Sequence, residues 1–382
     1  MISLLTVIGA RPQIIKAAAI SRAIKNHFSG VIEERILHTG QHYDVNMSQV
    51  FFDELGIPAP DYNLGVGSGS HGVQTAKMIS GIEEVLMSEH FDGIILYGDT
   101  NSTLAGAVAA SKIHVPVFHI ESGLRSFNMT MPEEINRIVC DQLSSICFSP
   151  TQTGMDNLRR EGFFESPTKF MNGKGRLIVN SGDVMYDNSM YFSTIAEQNP
   201  DVFERIKVNP GEYILTTIHR PINTDNPERL TAILSSLLTI TAKDRVTLVL
   251  PLHPRTCNLL DKNLAPTVYA ELMSSPYVKV IPPASFFDII NLEKNARIVI
   301  TDSGGVQKEA FFFERPCVIL RSETEWLEII EHGAGILADA DPDRILLAYN
   351  KLIGTKPSFP PLFGDAHAAE KILHTIKAYF GV

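Results

Sequence analysis

At 382 residues, 44% of them hydrophobic and 20% charged, the chain is too apolar to be disordered and long enough for two domains with separate cores. A net charge of -10 without a basic cluster argues against nucleic acid as a partner, and no apolar run reaches the ~20 residues of a membrane span. Any anionic substrate must therefore be met by local cations.

The opening residues, Met1-Ile-Ser-Leu-Leu-Thr-Val, lack the basic stretch of a secretion signal and read as a strand running to Gly9. Cys140, Cys147, Cys257 and Cys317 lie in apolar surroundings without CxxC spacing, as reduced core cysteines do and metal ligands do not. A cytoplasmic location is expected.

Short apolar strands then alternate with amphipathic helices. Strands are expected over 4–8, 34–38, 93–97, 117–120 and 146–149, and helices over 14–25, 48–55, 73–88, 102–113, 132–143 and 151–161. A second series of strands is expected over 212–217, 245–250, 278–281, 297–300 and 317–320, with a helical run over 306–313. This rhythm predicts an α/β protein: two doubly wound, Rossmann-like parallel-sheet domains facing each other across a cleft. The irregular stretch 166–199 reads as the hinge, and a last helix over 366–380 as packing back on the first domain. The expected domains are 1–170 with 366–382, and 171–365.

Ligands of such sheets bind at the carboxyl ends of the strands, where several polar groups fall. Gly9-Ala10-Arg11-Pro12-Gln13-Ile14-Ile15-Lys16 opens a helix with Pro12 in its first turn, and Arg11 and Lys16 could meet phosphate or simply be solvated. In Tyr97-Gly98-Asp99-Thr100-Asn101-Ser102, any of the last three can cap the next helix, which leaves Asp99 for the cleft unless it caps instead. Glu121 ends the neighbouring strand in Glu121-Ser122-Gly123-Leu124-Arg125. Two carboxylates on adjacent strand ends suit acid/base chemistry, although Arg125 could form a buried ion pair with Glu121 rather than meet substrate. Glu133, in Pro132-Glu133-Glu134, sits in a helix first turn, where an acidic residue also satisfies the helix dipole. His219-Arg220, closing the first strand of the second series, fits a diphosphate, with His253 and Arg255 weaker candidates of the same kind. Asp302-Ser303-Gly304-Gly305 joins a buried strand to a helix, so its backbone N–H groups and Ser303 make an anion site, while Glu309 could accept from a ribose diol. An ordinary turn with Ser303 as the N-cap is the plainer alternative.

As a set, these motifs resemble the non-hydrolysing UDP-N-acetylglucosamine 2-epimerases, from Gly9-Ala10-Arg11-Pro12 through Gly98-Asp99-Thr100, Glu121-Ser122-Gly123, Pro132-Glu133-Glu134, His219-Arg220 and Asp302-Ser303-Gly304-Gly305-Val306-Gln307 to Phe363-Gly364-Asp365. The resemblance implies a fold of glycosyltransferase-B type, a homodimer, a UDP-linked 2-acetamido sugar as ligand, and neither a redox cofactor nor a metal. It carries over Asp99, Glu121 and Glu133 as acid/base residues and His219 as the group on the leaving diphosphate. Arg11, Lys16, Gln41 and His42 match substrate-facing positions, and Ser303, Gly304, Gly305 and Glu309 match the UDP site.

The hydrogen on carbon 2 of such a sugar is not next to a carbonyl, so a carboxylate alone cannot remove it. Expelling UDP from carbon 1 makes it acidic and yields a 2-acetamidoglycal, and readdition with a proton on the other face completes the epimerisation. Thr324-Glu325-Trp326-Leu327-Glu328 departs from the common Thr-Glu-Arg-Pro-Glu, Asp183 follows Gly182 in an expected strand, Gln13 replaces a Glu, and Tyr97 replaces a His. These features look more like the subgroup acting on UDP-2,3-diacetamido-2,3-dideoxyglucuronate in surface-polysaccharide synthesis. A UDP-sugar glycosyltransferase would share the fold without needing three carboxylates in the first domain. A nucleotide-sugar sensor could dispense with Asp99, Glu121 and His219.

Overall fold

Two parallel sheets, each with a single reversal of strand order, carry the chain. The computed structural model describes residues 1–41, 56–165, 176–252 and 254–382. The first sheet has strands β1 (Ile2–Ile8), β2 (Ile32–His38), β3 (Tyr62–Asn63), β4 (Gly93–Tyr97), β5 (Val117–Ile120), β6 (Ile146–Ser149) and β7 (Leu177–Asn180), in the order β3-β2-β1-β4-β5-β6-β7. The second has β8 (Tyr213–Thr217), β9 (Thr247–Pro251), β10 (Val278–Ile281), β11 (Ile298–Thr301), β12 (Cys317–Ile319) and β13 (Gly335–Leu337), in the order β10-β9-β8-β11-β12-β13. The reversals fall between β1 and β4 and between β8 and β11. At such a switch point the loops leaving the two strands diverge and open a crevice for ligand.

The strands read as nearly unbroken apolar runs because helices cover both faces. In the second unit, Ile214, Leu248, Leu250, Ile298, Ile300 and Val318 pack with Leu230, Ile233, Leu234 and Leu237 of the helix Pro227–Asp244. Burying each such side chain contributes roughly 1.5–3 kcal/mol. In the first unit, Leu5, Val7, Ile94 and Leu96 pack with the alanines of the helix Asn101–Lys112, whose small side chains let it lie close to the sheet. Cys140, Cys147 and Cys317 are buried and unbridged. Among the described residues, no helix is long and apolar enough to cross a membrane.

The units divide as Met1–Asn188 with Pro361–Val382, and Ser189–Pro360. This differs from the expected boundaries at 170 and 366. The segment assigned to a second domain supplies β7, which pairs with β6 in parallel, Ile146 against Leu177 and Ser149 against Asn180. The stretch after it, expected as a strand, is the helix Val184–Ala196, and the division falls inside that helix. The return of the chain is fixed by a close backbone approach. The Asp183 N–H donates to the Phe363 carbonyl at 2.9 Å, and a Cβ on Gly182 (φ +82°) would lie 2.9 Å from that same oxygen. The last helix, Ala368–Tyr379, is then capped by Asp187, which accepts from the N–H groups of Ala368 and Ala369 at 3.0 and 2.8 Å. Burial pushes the Asp187 carboxyl up to about 6 despite those two donors. The helix expected over 48–55 lies outside the described residues.

Candidate functional site

In the first unit, Gln13 ties the loops at the switch point together. Its Oε1 accepts from the N–H groups of Gly9 and Ala10 at 2.9 and 3.2 Å, and its Nε2 donates to the Tyr97 carbonyl and Thr103 Oγ1, both at 3.0 Å. An ionised Glu could not make the last two bonds. The same helix, Arg11–His27, brings Lys16 into an ion pair with Glu121, while Arg11 is exposed at its start. Glu121 follows β5 with φ +69°, a left-handed conformation that costs a non-glycine residue about 1 kcal/mol and so draws attention to what it positions.

Asp99 does not cap the helix Asn101–Lys112. Thr100 does, its hydroxyl accepting from Thr103 N–H at 3.4 Å. Asp99 is instead ion-paired with Arg137, and 32% of its side chain reaches the surface. Burial pushes its carboxyl above the ordinary range, against the opposing charges of Arg137 and Lys16. Arg137 comes from the helix Pro132–Leu143, which buries a polar face (Glu134, Asn136, Arg137, Asp141) and leaves Ile135 exposed. Glu134 is held inside, accepting from Ser126 N–H, Phe127 N–H and Arg137 at 2.9 Å each. Its neighbour Glu133 is exposed. Gln41 accepts from the hydroxyl and N–H of Ser102 at 2.8 and 3.2 Å. His42 lies outside the described residues.

Beneath these groups lies an ionic cluster. His119, fully buried, donates from Nε2 to the Gly98 carbonyl and from Nδ1 to Asp141, both at 2.7 Å. Two acceptors require two N–H groups, so the ring is an imidazolium. Burial opposes that charge, but Cys140 and Asp141 outweigh it and hold the ring well above its usual value. Burial likewise opposes the charge on Asp141, and His119 and Arg125 hold it low. Arg125, expected to face substrate or to pair with Glu121, does neither in this structure. Its side chain is 1% exposed and engages Asp141 and Glu161, each at 2.7 Å.

In the second unit, the hydroxyls of Thr217 and Thr301 meet at 2.6 Å and join the ends of β8 and β11. Past β8 comes His219, its side chain 49% exposed, with Arg220 half-buried beside it. Past β11, Ser303 caps the helix Gly304–Phe312 by accepting from Val306 N–H at 3.4 Å. The two glycines lie beside side chains of the turn: a Cβ on Gly305 would lie 4.0 Å from Glu309 Oε2, and one on Gly304 would lie 3.8 Å from Trp326 Nε1 and 3.7 Å from an Arg321 nitrogen, all ordinary contact distances. Arg321 is held in turn by Glu325 at 3.0 and 3.1 Å, and Lys308 sits 4.3 Å over the Trp326 ring. Trp326, which departs from the common motif, therefore lies beside the expected diphosphate turn.

Two residues to which the sequence assigns no role join these sites. Arg137 engages Asp99, and Asp302, fully buried, accepts from the backbone of both His219 and Arg220. Asp302 is legible in the sequence as the opening residue of the Asp302-Ser303-Gly304-Gly305 turn, but not as the acceptor for the loop after β8. His253 lies outside the described residues, as does the side chain of Arg255. Among the described residues, no cluster of three or more His, Cys, Asp or Glu could hold a metal ion.

The chain matches the family model for UDP-N-acetylglucosamine 2-epimerase over residues 23–377. It is 45% identical over 370 residues to the UDP-2,3-diacetamido-2,3-dideoxy-D-glucuronate 2-epimerase of Pseudomonas aeruginosa, covering 97% of this chain and 98% of that protein. It is 42% identical over 375 residues to a UDP-N-acetylglucosamine 2-epimerase homolog of Methanococcus maripaludis, covering 98% and 99%. The crystal structure of Methanocaldococcus jannaschii UDP-GlcNAc 2-epimerase in complex with UDP-GlcNAc and UDP superposes with a TM-score of 0.84 at 38% identity, over 99% of this chain and 100% of that one. The pair of parallel-sheet units is thus of glycosyltransferase-B type. From the extent of the family match and these identities, the chain belongs to the UDP-N-acetylglucosamine 2-epimerase family.

Proposed function

We propose that the chain epimerises carbon 2 of a UDP-linked 2-acetamido sugar by anti elimination of UDP to a 2-acetamidoglycal and readdition. The observation that carries this reading is the placement of Asp99 and Glu121 at the ends of the paired strands β4 and β5, each with its own cation, Arg137 and Lys16. A general base works best with a proton affinity near the working pH, and burial moves Asp99 in that direction. Asp99, Glu121 and Glu133 supply the base and acid on the two faces of carbon 2. His219 and Arg220 neutralise the leaving diphosphate, the Ser303-Gly304-Gly305 turn offers it N–H groups, and Glu309 takes the ribose. Arg11, Lys16 and Gln41 face the sugar and its phosphates.

The 45% identity to the Pseudomonas aeruginosa enzyme and the position of Trp326 beside Gly304 support a diacetamido uronate as the preferred sugar. A cytoplasmic homodimer serving surface-polysaccharide synthesis completes the reading, supported by family resemblance alone. The test is to incubate the protein in heavy water with a panel of UDP-2-acetamido sugars and follow the anomeric proton signals. Epimer formation with one deuterium at carbon 2 is expected, fastest with the diacetamido uronate. Product free of deuterium, or no turnover of any member, would reject it.

A further inference from the structure

We propose that Asp302 is a positioning residue that fixes the Nδ1–H form of His219 and so turns Nε2 toward the leaving diphosphate. The proposal rests on the role given to His219 above. Burying a carboxylate is costly unless several donors converge on it, and here they do. Asp302 Oδ1 accepts from His219 N–H at 3.1 Å, and Oδ2 accepts from Arg220 N–H and from Asn223 Nδ2, each at 3.0 Å. A carboxylate that merely closed the turn would account for those contacts. It would not account for the ring of His219, whose Nδ1 stands 3.4 Å from Oδ1. Catalytic hydrogen bonds are often this long without substrate and shorten when it binds.

The direction of the hydrogen bonds is set from further away. Arg229, ion-paired with Asp339, donates from two nitrogens to Asn223 Oδ1 at 3.0 and 2.9 Å. That fixes the amide, so Asn223 can only donate through Nδ2, which it does to Asp302 and to the Leu320 carbonyl at 3.1 Å. An ionised Asp302 can only accept, so a hydrogen bond from the ring nitrogen that faces it at 3.4 Å requires the hydrogen to sit on Nδ1. Nε2, on the opposite edge of a half-exposed ring, is left as the nitrogen that donates when the ring is charged. Without the carboxylate the neutral ring can hold its hydrogen on either nitrogen, and the charged ring loses the anion that orients it and offsets its charge.

The first test needs no variant. Nitrogen-15 NMR of histidine-labelled wild-type protein, at a pH where the ring is neutral, is expected to show His219 as the Nδ1–H form, assigned by its loss in His219→Asn. An Nε2–H form would overturn the proposal. The second test is a double-variant cycle on turnover. Asp302→Asn and His219→Asn are each expected to lower kcat by about 10²–10⁴, and the double variant to be no slower than the slower single one. Costs that multiply would mean that Asp302 acts independently of His219, and would also overturn it. Full activity of His219→Asn, by contrast, would remove the role of His219 in the reaction and the catalytic half of this proposal with it, whatever form the ring takes.

Discussion

The Lys16 ammonium and the Glu121 carboxylate pair beside Gly98, where an added Cβ would crowd the ammonium. A Cβ on Gly98 would lie 3.1 Å from Lys16 Nζ and 4.0 Å from Glu121 Oε2. Gly98 also has φ +62°, which costs a residue with a Cβ roughly 1–2 kcal/mol. Gly98→Ala is therefore expected to lower stability by about that amount and, by displacing the pair, to lower kcat by about 10²-fold. Thermal melts and initial rates check both, and unchanged turnover would mean the pair need not be held so closely.

The same pair allows stability and activity to be separated. Lys16 and Glu121 side chains are 11% and 13% exposed, so Lys16→Met leaves a largely enclosed carboxylate without its cation. Breaking one partner of such a pair costs roughly 3 kcal/mol, whereas removing both charges costs much less. Urea unfolding should thus find Lys16→Met destabilised and Lys16→Met with Glu121→Gln largely restored. Turnover should be lost in both, because the second change also removes an acid/base group. Recovery of activity along with stability would show the pair to be structural only.

The buried His119 gives a dependence on pH whose sign follows from its two acceptors. A histidine held above its unfolded value of about 6.5 stabilises the fold fully below that pH and loses the contribution as pH rises through the folded value. His119→Asn lacks this component. The stability advantage of the wild type over the variant is therefore expected to shrink above about pH 6.5, by at most about 1.4 kcal/mol per pH unit. Parallel unfolding curves between pH 6 and 9 would contradict the imidazolium. On the acid side, Asp141, held low, keeps its contribution until its carboxylate is protonated.

Much of the site is legible in the sequence because strand ends and glycine turns are local signals. Asp99, Glu121, His219 and Ser303 each lie within two residues of the end of a short apolar strand, and a parallel sheet places such residues on its carboxyl edge. What is not legible depends on contacts between distant segments. Arg125 reads as a cation available to substrate, but its partner Glu161 is 36 residues away, just past the helix Gln152–Arg160. The grip of Asp302 on His219 spans 83 residues and exists only because β8 and β11 are neighbours. The domain boundary differs from the expected one for a similar reason: the membership of β7 in the first sheet is decided by its pairing with β6, which no local pattern shows.

Glu133 and Glu134 are adjacent acids that composition alone leaves equal and the structure separates. Glu134 is 1% exposed and accepts from Ser126, Phe127 and Arg137, so it closes the loop before the helix and steadies the cation that engages Asp99. Glu133, one position earlier in the first turn, is exposed. Removing the charge from a buried carboxylate with several donors leaves at least one donor facing an amide N–H₂ group, at a cost of about 1–3 kcal/mol. Glu134→Gln is thus expected to lower the unfolding free energy by that amount and to reduce turnover only through Arg137. Glu133→Gln should leave stability within about 0.5 kcal/mol, as exposed substitutions do, yet lower kcat by about 10²–10⁴ if it is the acid or base for one face of carbon 2. A variant stalled after elimination should release UDP and the glycal into solution, which chromatography of a quenched reaction would detect. If Glu133→Gln turns over like the wild type while Glu134→Gln does not, the third acid/base assignment belongs elsewhere, and Asp99 and Glu121 must serve both faces.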